Sequence, residues 1–366
     1  MANDCHAIIA ERGARVTSLR DIAAAAGVST STVSRALGDS SHPVSAELRE
    51  RIRRIADEMG YKPNPLGRAL LAQRLRIIGA VVRDARDSYL AEVVHGMEDV
   101  AKSAGYMVVI CNTLRDMDRE LSYVDLLVAH RAAGIVFVSS GIEDTAHNAE
   151  LTVRLEALRR NGGVAVAAAS TRLPIPRVVP DNQGGGRMAA AHLISLGRRP
   201  VLVLGGFEGH CTSTDRLSGY ADAFSAAGLS LADEPMVRAG DQFDTAWEAV
   251  SRELERGTRF RAVLATNDEA AIGALAALES AGVRVPEDVA VVGFGDMRVT
   301  YLVQPKLTTI RVPTYELGRV AVQTIVDALE SGVEPAPLRV LPVELVVRGS
   351  TVAESRPALG ATVFSG

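Results

Sequence analysis

Residues 19–37, LRDIAAAAGVSTSTVSRAL, read as two short helices around one tight turn. Ser18 is placed to cap the first helix and Asp21, three residues on, to cap in return. Leu19, Ile22, Ala23 and Ala26 then recur at helical spacing and form an apolar stripe. Gly27 lacks a Cβ and takes the left-handed conformation that a sharp turn needs. Ser29 caps a second helix whose Val33, Ala36 and Leu37 face inward, leaving Thr30, Ser31, Ser34 and Arg35 outward. Such a helix-turn-helix offers hydroxyls and a guanidinium to the DNA major groove, where arginine bonds guanine at both O6 and N7. On this stretch alone, an ordinary helical hairpin is an equal alternative.

The flanking sequence favours the DNA reader. Residues 45–61, SAELRERIRRIADEMGY, predict a third helix capped by Ser45, with Leu48, Ile52, Ile55 and Met59 on one face. Three such helices close a small apolar seam over residues 17–62. Residues 1–16 read as a disordered extension. Residues 63–76 contain Pro63, Pro65 and Gly67, a weak helix when isolated, although Pro65 suits a helix start. Charge divides unevenly along the chain. Residues 1–76 hold twelve Arg or Lys against eight Asp or Glu, a balance of +4, and the remainder holds 28 against 36, or −8. A basic head on an acidic body is expected when only the head meets phosphates.

From Ile77 to about Thr351 the pattern becomes strand-helix alternation. Runs such as RIIGAVV, YMVVICN, PVLVLGG and DVAVVGFGD are continuous and aliphatic, and amphipathic segments separate them. Strands of this kind imply parallel sheets covered on both faces. Their number exceeds one ordinary sheet, so two lobes are expected, with ligands in the cleft beyond the carboxyl ends of the strands. The expected first lobe spans 77–180 and 311–335, the second 181–310 and 336–351, and residues 352–366 form a loose tail. The fold class is therefore α/β, with a small all-α head. No apolar run is long enough to span a bilayer, and the N-terminus does not read as an export signal, which points to the cytoplasm. Cys5, Cys111 and Cys211 lack metal-ligand spacing and suit reduced thiols.

Catalysis finds little support. DNQGGGRMAAAHL at 181–193 places a glycine cluster before a helix, the setting of a phosphate cradle, but it lacks the full G-x-G-x-x-G spacing. No phosphate-binding P-loop, nucleophile elbow or histidine metal cluster is present in the sequence, and no cofactor is expected.

The order of these parts resembles the LacI/GalR family of bacterial transcription regulators over residues 17–351. The motifs that agree are DIAAAAGVSTSTVSRAL, ELRERIRRIADEMGYKPNPLGRAL, the DN..GG run at 181–185, RLSGY from Arg216, TNDEAAIGAL from Thr266, VPEDVAVVGFGD from Val285 and LTTIRVPTYELG from Leu307. The resemblance implies a helix-turn-helix head, a hinge helix and a two-lobed core like that of periplasmic binding proteins. It implies a homodimer, or a tetramer, on pseudo-palindromic operator DNA, repressing a catabolic operon and released by a sugar, sugar acid or related metabolite in the cleft. A corepressor-dependent repressor or an activator with a non-sugar ligand is the alternative. A two-lobed binding protein without a DNA role is a distant third, since it would lack the head.

By the same resemblance, Ser18, Ser29, Thr32 and Ser34 hold phosphates, Thr30, Ser31 and Arg35 read bases, and His42 makes a further DNA contact. Asn64 begins the hinge helix and Leu70 is the wedge between central base pairs. Such a wedge costs a few kcal/mol of unstacking and ordering the hinge costs about 1–2 kcal/mol per residue, so both must be recovered together on DNA. The implied effector residues are Tyr89, His210, Thr212, Arg216, Phe243, Asn267, Asp268 and Asp296. Departures bear on the ligand. Ala168 and Gly295 stand where sugar-binding relatives often carry acids, Asp296 lies one place on, and Arg216 is left as the anchor. Buried hydroxyls need partners, at about 1–3 kcal/mol each when unpaired, so these losses favour a smaller, acidic or less hydroxylated ligand. Tyr89 also reads as interlobe packing and Asn267 as a helix cap. Trp247 is expected near the cleft rim.

Overall fold

A computed structural model describes residues 17–37, 44–61, 75–139 and 141–353, and the chain divides into two units, 1–73 and 74–366. In the first unit, three helices are described: α1 (Leu19–Ala26), α2 (Thr30–Leu37) and α3 (Ala46–Glu58). The α1 start is a full capping box, with the Ser18 hydroxyl accepting from the Asp21 amide at 3.4 Å and the Asp21 carboxylate from the Ser18 amide at 2.9 Å. Gly27 closes the helix at φ 66°, a conformation open to glycine at little cost. Ile22, Ala26, Val33, Ala36 and Ile52 are fully buried and form the seam between the helices. Ala56 completes it where the sequence suggested Met59, because α3 ends at Glu58 and Met59 becomes its exposed cap.

The second unit alternates strands and helices in two lobes. The first lobe contains β1 (Leu75–Val82), α4 (Ser88–Ser103), β2 (Met107–Asn112), α5 (Met117–Ala129), β3 (Ala132–Phe137), α6 (Thr145–Arg160), β4 (Val164–Ala167) and β5 (Arg177–Pro180). The second contains α7 (Asn182–Ser195), β6 (Val201–Gly205), α8 (Cys211–Ala226), β7 (Met236–Arg238), α9 (Phe243–Glu255), β8 (Ala262–Ala265), α10 (Asp268–Ser280), β9 (Ala290–Gly295) and β10 (Thr308–Arg311). The chain then returns through α11 (Thr314–Ser331) and β11 (Leu338–Leu341) and ends with β12 (Glu344–Val346). The sheet orders are β11-β5-β4-β3-β1-β2 and β12-β10-β9-β8-β6-β7. All pairings are parallel except β10 with β12. One expected boundary is corrected. Residues 336–351 do not all return to the second lobe, because β11 pairs with β5 at the edge of the first sheet and the final crossing comes only after Leu341.

Each sheet is buried between two helix pairs, α4 and α11 against α5 and α6 in the first lobe, α9 and α10 against α7 and α8 in the second. Strands covered on both faces must be apolar throughout, which is why they read as continuous aliphatic runs. The glycine cluster opening α7 has a packing role. A Cβ on Gly219 of α8 would lie 2.0 Å from the Gln183 carbonyl, and one on Gly186 would lie 2.3 Å from the Arg216 carbonyl. These glycines let α7 and α8 approach closely and so fix the helix that carries Arg216. The α7 N-terminus is already occupied by Asp181, whose carboxylate accepts from the Gly184 amide at 2.8 Å. A carboxylate at that end disfavours a phosphate there. Among the described residues, no helix is long and apolar enough to cross a membrane.

Candidate functional site

Two sets of residues merit a functional reading, one in each unit. In the head, the Ser29 hydroxyl accepts from the Thr32 amide at 3.1 Å and so starts α2. It also lies 2.7 Å from the Ser31 hydroxyl and 2.8 Å from that of Thr32. Ser29, Thr30 and Ser31 are exposed, while Ser34 and Arg35 are half-buried. Arg35 rests its guanidinium on its own helix, donating from Nε to the Ser31 carbonyl at 3.2 Å and from Nη2 to the Ser31 hydroxyl at 3.4 Å. These are weak bonds to groups one turn away, exchangeable for a base edge. Ser18 is exposed at the α1 start. His42, Asn64 and Leu70 lie outside the described residues.

In the second unit, the carboxyl ends of both sheets face a cleft. Arg216 sits at its floor on α8, only 7% exposed. Its Nε donates to the Asn182 side-chain oxygen at 2.9 Å and its Nη1 to the Thr266 carbonyl at 2.5 Å. The guanidinium also stacks 3.8 Å from the centre of the Phe294 ring. Its partners are neutral, so among the described residues this buried cation has no carboxylate in an ion pair, an arrangement that disfavours the charge unless something compensates it. Burial accordingly lowers the Arg216 pKa.

His210 and Thr212, as expected, line the same cleft. The His210 Nδ1 lies 2.7 Å from the Ser213 hydroxyl and Nε2 lies 3.1 Å from Arg83 Nη1. An arginine only donates, so Nε2 must accept, and the proton sits on Nδ1. Burial and then the neighbouring Arg83 hold the imidazole neutral. Tyr89 packs against the cores of both lobes, so its interlobe packing is a structural fact, and it also borders the cleft. Asn267 caps α10, accepting from the Ala270 amide at 2.8 Å, and donates to the Asp241 carbonyl at 2.8 Å. Asp268 is fully buried. Its Oδ1 accepts from the Thr309 hydroxyl at 2.5 Å and its Oδ2 from the Met297 amide at 2.9 Å, while burial raises its pKa to about 6.

Two expected cleft residues are placed elsewhere. Asp296 accepts from Arg311 Nε of β10 at 2.6 Å and from Arg348 Nη2, just after β12, at 2.5 Å, so two arginines hold it away from the cleft lining. Phe243 is 40% exposed at the start of α9 and also lies outside the lining, as does Trp247 one turn later. The α9 helix packs on α10 through this turn, where Gly273 closely approaches the Phe243 carbonyl and the Trp247 amide.

The sequence reading missed an ionic cluster across the cleft. Arg83 follows β1 and Arg115 follows β2, both in the first lobe, and each reaches Asp241 of the second. Arg83 Nη2 lies 2.7 Å from Asp241 Oδ2, and Arg115 Nη1 donates to Oδ1 at 2.8 Å. A second tie joins the Ser170 and Asp215 side chains at 2.5 Å. Backbone bonds from Glu143 to Gly209 and from Cys211 to Gly141 add two more. In this arrangement the cleft encloses about 80 Å³, well below the roughly 300–1,000 Å³ of ordinary small-ligand pockets.

Comparison with known proteins gives two matched regions. Residues 18–64 match the description "Bacterial regulatory proteins, lacI family", and residues 190–351 match "Periplasmic binding protein-like domain". The chain is 30% identical over 346 residues to the HTH-type transcriptional repressor CytR of Escherichia coli strain K12, covering 94% of this chain and 99% of that protein. Among solved structures it resembles the lac repressor dimer bound to operator and the anti-inducer ONPF, with TM-score 0.79 and 25% identity, covering 92% of this chain and 99% of that one. It also resembles a complex of the transcriptional regulator CelR with cellobiose, with TM-score 0.67 and 28% identity, over 91% of this chain and 99% of that one.

Proposed function

The chain belongs to the LacI family of bacterial regulatory proteins, and from that premise we propose that it is a DNA-binding repressor, controlled by a small-molecule effector between its two lobes. The observation that carries this reading is one chain joining a helix with exposed Thr30 and Ser31 and a detachable Arg35 to a two-lobed cleft built around buried Arg216. Arg35, with Thr30 and Ser31, reads bases, and Ser18, Ser29, Thr32 and Ser34 meet phosphates. His42, the hinge from Asn64 and the Leu70 wedge complete the DNA contact. The protein acts in the cytoplasm as a homodimer. Met107 and Ile110 on edge strand β2 and Met236 on edge strand β7 are exposed apolar side chains that a second subunit would cover. Its role is binding and not catalysis.

The effector is a sugar, sugar acid or related metabolite held by Arg216, with Thr212 and His210 alongside. A cleft of about 80 Å³ cannot admit a hexose without parting the lobes, so binding and lobe angle are coupled. The effector shifts operator affinity by as much as it prefers one lobe arrangement over the other. A metabolite screen for release from the chain's own upstream palindrome tests this reading and gives the sign of the response. The Arg216→Ala variant should bind operator normally yet lose the response to whichever metabolite the screen returns. A response that survives this change refutes the placement of the effector at Arg216.

A further inference from the structure

Beside the cleft lies a larger side cavity of about 260 Å³, built mainly by the first lobe and closed by Phe207 of the second. It lies among the loops that follow β2, β3 and β4 and the first turns of α5 and α6. Phe137, Leu151, Leu173 and Phe207 give it an apolar lining, and Arg83 and Arg115 give it two guanidiniums. Arg83 borders both cavities, and Arg115 borders only this one.

The loop that presents Arg115 is strained. Leu114 and Arg115 have φ 54° and 66°, two successive non-glycine residues in the left-handed region. Such backbone persists only where its surroundings impose it, and it concentrates at functional sites. Here the conformation is held by the Arg115 amide donating to the Arg83 carbonyl at 3.2 Å and by the Asp241 ion pair.

The acids bordering the cavity are already committed. Glu120 pairs with His147 at 2.6 Å, and Asp116 caps α5 by accepting from the Arg119 amide at 3.0 Å. The arginines are not fully used. Arg83 Nε is buried without an acceptor, and the partly exposed Arg115 reaches Asp241 through Nη1, leaving its other donors to the solvent side. An apolar chamber with spare guanidinium donors, whose two acids are already hydrogen-bonded elsewhere, is complementary to an anion with an apolar body.

We propose that this side cavity is a second ligand site, which takes a small single-ring aromatic carboxylate. The ring lies among the four apolar side chains and the carboxylate meets Arg115 and Arg83. Because the same arginines hold Asp241 of the other lobe through their other nitrogens, a second carboxylate on them weakens the attraction for Asp241 and loosens one interlobe tie. The consequence for DNA binding rests on the repressor reading above, whereas binding itself does not.

Titration calorimetry on the full chain, with benzoate as the probe and benzyl alcohol as its neutral counterpart, tests the site. Benzoate should bind, and benzyl alcohol should bind at least about tenfold more weakly, the value of a charge-assisted bond. Arg115→Ala and Met117→Trp should each weaken benzoate by about tenfold or more, the second by filling the cavity from a partly exposed position that tolerates a larger side chain. Arg216→Ala, in the central cleft, should leave benzoate affinity within about twofold. Three outcomes overturn the proposal: no benzoate binding at millimolar concentration, equal binding of benzyl alcohol, or loss with Arg216→Ala but not with Met117→Trp. Operator binding measured without probe reports separately on the repressor reading. A misfolded Arg115→Ala leaves Met117→Trp to decide.

Discussion

Replacing Asp268 with Asn separates a scaffold role from a ligand role. The carboxyl is fully buried, and burial raises its pKa from 3.8 to about 6 against the opposing hydrogen bonds from Thr309 and Met297. Its folded pKa lies above its unfolded value, so the folded state binds more protons between pH 4 and 6. Stability from this group is therefore greatest below the unfolded pKa and is lost as pH rises through about 6. A shift of roughly two units corresponds to about 3 kcal/mol between those limits, an upper bound for a site that can relax. Asparagine imitates the protonated acid, accepting from the Met297 amide and donating to the Thr309 hydroxyl. Urea unfolding should show Asp268→Asn more stable than the parent by about 2–3 kcal/mol at pH 7.5, with the gap falling to roughly 1 kcal/mol or less at pH 4.5. A gap that stays constant with pH, or a variant less stable at pH 7.5, refutes the argument. If the variant also loses its effector response while gaining stability, Asp268 touches the ligand after all.

Three further outcomes follow from the same structure. Arg35→Ala should cost about 1–3 kcal/mol of discrimination between operator and random DNA in a fluorescence-anisotropy titration, while weak, salt-sensitive binding persists; equal losses on both DNAs count against base reading. Gly219→Ala places a Cβ 2.0 Å from the Gln183 carbonyl, so α8 must shift from α7 at a cost of about 1–3 kcal/mol, read in thermal unfolding of the second unit. Asp241→Ala strands two guanidiniums, Arg83 at 17% and Arg115 at 32% exposure, and should destabilise the unit by about 1–3 kcal/mol after allowing for solvent screening. Hydrogen exchange should then rise at residues 83–87 and 239–242, and unchanged protection there would rule out the ionic tie.

Much of the fold was legible because its devices are local. The Ser18–Asp21 box, the Gly27 turn and the Ser29 cap are each spelled within four residues and appear where the sequence puts them. Strands buried on both faces leave no choice of register, so runs such as Val201–Gly205 declare themselves. The last crossing was misplaced because β11 is short and largely exposed, LRVL with only Leu341 buried. Its partner is chosen by a backbone edge 161 residues earlier (Leu338 opposite Arg177), which leaves no mark on local periodicity.

The site was legible by position and illegible by direction. Arg216 announces itself within RLSGY, yet what it binds, the Asn182 amide and the Thr266 carbonyl, is set by three separate strand-to-helix junctions. Arg83 carried a usable signal, since a charged residue directly after the first parallel strand stands where such folds bind ligands. Asp241 carried none, because its loop has no periodicity and its meaning comes from two arginines of the other lobe. Asp296 shows the converse. Sequence proximity to Gly295 placed it in the cleft, but Arg311 and Arg348 offer a buried carboxylate two cations on the far side of β9. Paired there, it could face the cleft only by breaking both bonds and leaving Arg348 without a carboxylate among the described residues. The acid that takes cations from the other lobe is instead Asp241, on a loop that Asn267 holds through the Asp241 carbonyl.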